Sequence, residues 1–389
     1  MSFRKRNTVI STAQPGQAAL QARVGKQQPA PGLRPSPVDG RLTTSTGTSS
    51  LDHLLAGHVG LPLGTSLLVE EQGTTDFSGA LLRYYAAEGL VQGHQVHVLG
   101  FSDAWVYELP AVSTADGKSK TAQATRPNEE RMKIAWRYEA LANKSTPGLP
   151  SRGEGQTAST FCHPFDLSKR LASASVKGAL HATPSASPMS FSLETSDPPS
   201  PFKAFIGNIQ AQLASSGPSI VHRIVVPSLL SPTLYASGSC RPREVLRFLH
   251  ALRALLRQYG SQLTALIALP TSLFPRSSGL TRWMELLCDG VIELVPLPAN
   301  SPALASPSAD KSDSKSADQS QGVLKVHSLP IYHEKGGGGA EGNYFRENLT
   351  FSLSASKGLV IKPFSLPPLG EEGQKEKSPA STVKDGMDF

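Results

Sequence analysis

The stretch Ser66–Gly89, "SLLVEEQGTTDFSGALLRYYAAEG", decides how this chain is read. It runs from an apolar strand through a glycine turn into a helical pattern, the order in which a phosphate-binding loop joins its strand to its helix. In such a loop, G-x-x-x-x-G-K-[ST], backbone amides cradle phosphate, the lysine neutralises charge and the hydroxyl holds magnesium. Counting from Gly73, the second glycine falls on Ser78, the lysine on Gly79 and the hydroxyl on Ala80. Asp76 adds negative charge where phosphate would sit. The strand, turn and helix are therefore expected as packing, without a nucleotide site.

A hydrolase of this kind also carries an acid at the end of a later apolar strand, to hold magnesium. In "HRIVVPSLL" the strand ends at Val226, and Pro227 and Ser228 follow. After "VHVLG" the nearby acid is Asp103, a natural turn residue. No catalytic residue, cofactor or metal is expected.

Upstream, Ser49 is expected to cap a short helix, with Asp52 closing a capping box and Leu51, Leu54 and Leu55 forming its apolar face. Downstream, strand and helix patterns alternate. A helix is expected from about Phe77 to Gln92, then a strand in "HQVHVLG" and a helix in "NEERMKIAWRYEALAN". "SIVHRIVVPSLL" and "QLTALIAL" read as strands, "RPREVLRFLHALRALLRQYG" and "SGLTRWMELLCD" as helices. "GVIELVPL", "GVLKVHSLP" and "LTFSLSASKGLVIKPF" close the chain with strands that pair through turns. The fold class is α/β: a mostly parallel sheet flanked by helices, with antiparallel edge strands.

The 389 residues include 34 glycines and 31 prolines, which points to long loops around a smaller folded body. Residues 1–40, basic and without periodicity, are expected to be a disordered tail, and 41–366 the folded domain. Low-complexity insertions are expected at about 111–127, 143–200 and 299–321, with "FCHPFDLSKRL" as an apolar island in the second. Residues 367–389 read as a disordered charged tail. No run of eighteen apolar residues predicts a membrane helix, and the start "MSFRKRNTVISTAQPGQ" lacks the apolar core of a secretory signal. The cysteines Cys162, Cys240 and Cys288 have no metal-ligand spacing and are expected to be reduced thiols. The net charge of +7 permits nucleic-acid binding.

"TGTSSLDHLLAGHVGLPLGTSLLVEEQGTTDFSG" (Thr46–Gly79) resembles the entry to the core of RecA-type ATPases and, more closely, the PAXNEB family of Elongator subunits. "MKIAWRYE" (Met132–Glu139), "FCHPFDLSK" (Phe161–Lys169) and "RIVVPSLLSP" (Arg223–Pro232) look like further hallmarks of that family. The resemblance spans about Leu42 to Phe364. It implies a RecA-like fold without a working phosphate loop. It also implies a hetero-hexameric ring with the two other RecA-like accessory subunits, attached to the Elongator core, and a role in modifying the wobble uridine of tRNA in cytoplasm and nucleus. The chemistry would belong to another subunit, so the chain is expected not to be an enzyme. A composite ATPase completed by a neighbour and a pure scaffold without RNA contact are the alternatives.

The helix from Arg243 to Tyr259 divides at 100° per residue into an apolar face and a stripe of Arg243, Arg247, His250, Arg253 and Arg257, with Leu246 out of place. The stripe suits phosphates, water or an acidic neighbour. The resemblance places the ring's axial loops at about Pro227–Pro242 and Pro270–Arg282. These carry Arg241, Arg243, Arg276 and Arg282, the candidate contacts to the tRNA backbone. His163 and Asp166 lack companions that would complete a metal or catalytic set and are read as part of a stabilising or docking peptide.

Overall fold

A computed structural model of the chain describes residues 30–55, 59–113, 160–185, 200–298, 320–330, 349–355 and 358–364. Its centre is a sheet of nine strands. The parallel part comprises β8 (Ala179–Thr183), β5 (Gln95–Leu99), β9 (His222–Val226), β10 (Leu263–Pro270), β4 (Ser66–Glu71) and β11 (Gly290–Pro296). Three antiparallel strands extend it: β12 (Gly322–Ser328), β13 (Leu349–Ser354) and β14 (Gly358–Pro363). This is the expected RecA-like class. Strands buried on both faces need continuous apolar runs, and β4 and β9 are buried at every position.

Helices cover both faces. α1 (Ser49–Leu54) and α2 (Phe77–Gln92) lie on one, packed against Leu67, Val69, Val225, Leu266 and Ala268. On the other lie α3 (Pro201–Ser215), α4 (Pro242–Gln258) and α5 (Gly279–Leu287), against Leu68, Ile224, Val226, Ala265 and Ile267. The alternation of these residues along each strand is the pleat distributing side chains to two layers. α2 ends at Gly93, whose φ of 88° is the left-handed conformation that glycine adopts without strain.

Several elements depart from the sequence-based expectation. Thr48 rather than Ser49 occupies the N-cap position of α1, without a side-chain cap hydrogen bond, and Asp52 accepts instead from Ser45 Oγ, Thr46 N and Thr46 Oγ1. Leu33–Pro35, expected in the disordered tail, forms β1 and pairs with β2 (Leu42–Thr44), which pairs in turn with β3 (Leu61–Pro62). Three residues cannot show a period. The insertion at 143–200 contributes β7 (Phe165–Arg170), which pairs with β6 (Pro110–Val112), and β8, the edge of the main sheet. β8 is half-buried along most of its length, so it carries no strong alternation. α3 has a legible pattern, since Phe202, Phe205, Ile209 and Leu213 are its buried stripe and Pro201 suits a first turn. The helix expected in "NEERMKIAWRYEALAN" lies outside the described residues.

Candidate functional site

The glycine turn after β4 brings the last residue of that strand back under the first turn of α2. Glu71 Oε1 accepts from Phe77 N (2.9 Å) and Thr75 Oγ1 (2.7 Å), and Oε2 accepts from Ser78 N (2.9 Å) and Ser78 Oγ. The amides at the start of α2 thus hold the chain's own carboxylate, which satisfies orphan donors and suits the positive end of the helix dipole. Asp76 points the other way, bonding Arg83 Nη2 at 2.9 Å. A Cβ on Gly79 would lie 2.0 Å from Asp76 Oδ1, so a side chain there requires Asp76 to move. A nucleotide phosphate does not fit these residues: its donors are taken by a buried anion, and Gly79 and Ala80 offer neither cation nor hydroxyl. At the magnesium-acid position, the Pro227 carbonyl accepts from Tyr235 Oη at 3.1 Å.

The four candidate arginines fall into two pairs. Arg241 and Arg243 are exposed at the start of α4. Arg276 and Arg282, in the next strand's loop and on α5, converge on one carboxylate. Arg276 Nε lies 2.7 Å from Glu285 Oε1 and Arg282 Nη1 lies 2.7 Å from Glu285 Oε2. Arg276 Nε also lies 3.1 Å from Glu70 Oε2, at the end of β4. Burial, with Glu285 adding to it, raises the Glu70 carboxyl well above its ordinary value, and Arg276 opposes this. Burial also acts on Glu285, but hydrogen bonding and charge from Arg276 outweigh it and hold Glu285 below its ordinary value. The loop is further pinned by Ser272, which bonds Gly73 N and O, and by Thr281, which bonds Phe274 O. Ser278 caps α5, its Oγ accepting from Thr281 N at 3.3 Å.

Along α4 the predicted division holds: Val245, Phe248, Leu249, Leu252, Leu255 and Leu256 are buried. Two of the stripe's arginines turn inward to the protein. Arg253 Nη1 donates to Leu286 O at 3.2 Å, and Arg257 bonds Gly64 O and pairs with Asp289 at 2.5 Å.

A further polar centre, not anticipated from the sequence, surrounds Arg223 on β9. Its side chain is fully buried. Nη1 donates to Ser45 O (2.8 Å) and Tyr85 O (3.0 Å), Nη2 to Thr44 Oγ1 (2.6 Å), and Nε to His94 Nδ1 (3.0 Å). The guanidinium lies over the Tyr85 ring, 4.7 Å from its centre. A Cβ on Gly89 would come within 2.6 Å of Arg223 Cδ, so glycine there makes room for the arginine. Burial lowers its pKa, and Tyr85, Glu88 and Asp52 oppose that. Glu88 is buried too, and it receives His163 N at 3.0 Å and His163 Nδ1 at 3.0 Å. His163 is thus a strap contact onto α2, and Asp166 closes a local turn with Ser168 and Lys169. The signal for this centre in the sequence is one arginine inside the apolar run "VHRIVV".

A RecA-like sheet whose glycine turn after β4 closes on its own Glu71 carboxylate defines the class of domain. The chain belongs to the PAXNEB family: the model of the PAXNEB protein family matches residues 26–389. It is 32% identical over 360 residues to Elongator complex protein 4 of Schizosaccharomyces pombe, covering 89% of this chain and 91% of that protein. Proteins of the same name from Saccharomyces cerevisiae (29% identical, 68% of this chain, 62% of that protein) and Xenopus laevis (33% identical, 69% and 70%) also match. Among solved structures, a KaiC-like protein from Pyrococcus horikoshii OT3 is 14% identical with a TM-score of 0.38, covering 82% of this chain and 99% of that chain.

Proposed function

We propose that the chain is a non-catalytic subunit of Elongator. It assembles with two other RecA-like subunits into a hetero-hexameric ring that binds tRNA and supports modification of the wobble uridine in cytoplasm and nucleus. Family membership and relatives named Elongator complex protein 4 support the assembly. The observation that carries the non-catalytic reading is Glu71: its carboxylate takes the amides of Phe77 and Ser78 that a phosphate would need.

Co-expression with the other Elongator subunits, followed by mass measurement, tests the assembly. Neither the free chain nor the complex is expected to show magnesium-dependent ATP turnover through this loop, and Gly79→Lys is not expected to create it. Turnover that appears in the complex and is abolished by a bulky substitution at Gly79 would favour a composite ATPase instead.

Within the ring, the candidate tRNA contacts are Arg241 and Arg243, exposed at the start of α4, and Arg276 and Arg282, which pair with Glu285. Replacing Arg241 and Arg243 with alanine should weaken tRNA binding and lower the salt slope by about one for each phosphate no longer neutralised. Replacing Arg282 with alanine should change both much less. Equal losses from the two sites would show that Arg282 leaves Glu285 to meet RNA. An unchanged affinity in both variants would favour a scaffold without RNA contact.

A further inference from the structure

α3 and α4 pack side by side over the sheet and leave a groove of about 480 Å³ on their outer surface. On α3 its wall is the row Lys203, Gly207 and Gln210; on α4 it is Glu244, Arg247 and Ala251. These spacings of three and four place each row on one helix face. Ile206 and the edge of Phe248 line the floor.

Gly207 is the informative residue. It lies inside α3, where glycine is destabilising relative to alanine, and a Cβ placed on it meets nothing within 4 Å. No packing within the described residues requires a glycine there. Gly89 differs, since Arg223 fills the space beside it. A small residue facing open space on a helix surface suits the close approach of another backbone, with the facing Ala251 keeping the trough shallow.

Charge narrows the occupant. Lys203, Arg243 and Arg247 are exposed on or beside the groove. The acid among its lining residues, Glu244, lies 3.5 Å from Arg247. Both walls are helices, whose backbone donors and acceptors are used internally, so the groove cannot take a strand by backbone pairing. It presents an apolar floor between positive edges, the complement of an amphipathic helix with acidic flanks. We propose that the α3–α4 groove docks such an acidic amphipathic helix from another subunit of the complex, crossing α3 at Gly207. This rests on the Elongator reading and adds to it the place and chemistry of one contact.

The test uses the co-expressed complex and Gln210→Cys as a reporter, alkylated by a maleimide in the free chain and in the assembly. Alkylation is expected to slow at least tenfold on assembly. Gly207→Leu, which fills the crossing point, and Lys203→Glu with Arg247→Glu, which leaves the helix surface exposed and soluble, should each reduce partner retention at least tenfold. Gly207→Ala should retain the partners and serves as the folding control. Alkylation at the free rate within an intact assembly overturns the docking and leaves the Elongator reading standing. Protection that appears only on addition of tRNA, and vanishes with salt, overturns it in favour of RNA. A wild-type chain that recruits no subunit removes the Elongator reading and this contact together.

Discussion

Arg223→Met is expected to remove a large share of the chain's folding stability. Methionine keeps much of the volume but provides no donors. The carbonyls of Ser45 and Tyr85, the Thr44 hydroxyl and His94 Nδ1 each lose a donor in a site closed to water. Asp52 and Glu88, both buried, also lose the positive charge near them. Removing one member of a buried charged network costs about 3–5 kcal/mol, against a whole-domain stability of about 5–15 kcal/mol. The loss should be read as a lower urea midpoint, or as insolubility on expression. It should come with early proteolysis of residues 30–46, which Arg223 and His94 tie to the sheet through Thr44, Ser45 and Pro31. Arg223→Lys keeps the charge without the planar fork, so it should fall between the two. A methionine variant with the wild-type midpoint would show that the network adds nothing to stability.

The second large effect is acid lability. Burial lowers His94 and His97 to about 3 and His222 to about 4, with Arg223 adding to the effect on His94 and His222 to that on His97. The geometry agrees. His94 Nδ1 must accept from Arg223, and His97 Nε2 shares one proton with His222 Nδ1 at 3.0 Å while stacking on His181. Their folded values lie below the ordinary 6.5. The unfolded chain therefore binds more protons below that pH. The stabilisation is complete above about 6.5 and is lost as pH falls toward 4 and 3. Each group contributes up to about 1.4 kcal/mol per pH unit, so the three together contribute up to about 4 kcal/mol per unit. Glu70 has the opposite sign: its value is raised, so its contribution is whole below its ordinary value near 4.5 and is lost progressively as pH rises from there through its folded value, which offsets about one of the three histidines across the acid limb. Stability should therefore be greatest near neutral pH, with a steep acid limb in urea midpoints between pH 6.5 and 5. His97→Gln should flatten that limb by about one proton. A midpoint constant over this range would contradict the neutral histidine cluster.

Elements defined by neighbouring residues are legible in the sequence. The pattern places α2 at Phe77–Gln92, assigns the apolar face of α4 residue by residue, and gives β11 to β14 as the strands that close the sheet. β1 and β8 escape because an edge strand of three to five residues buries too little to impose a pattern. The candidate arginines follow from position in their loops. Whether each faces RNA or a carboxylate depends on Glu285, which stands on the following helix.

By itself, the sequence determined the class of sheet and the lack of a lysine and a hydroxyl at Gly79 and Ala80, because both follow from residue type at short spacing. The tertiary structure alone decided what the start of α2 holds. Glu71 becomes the anion at the α2 terminus only through the curl of the Gly73 turn, and Arg223 meets partners 129 to 179 positions away. Local periodicity carries the secondary structure, since each helix turn or strand pair of residues repeats it. A buried charge is stabilised by groups that only folding brings together, so its role is written in no single stretch of the chain.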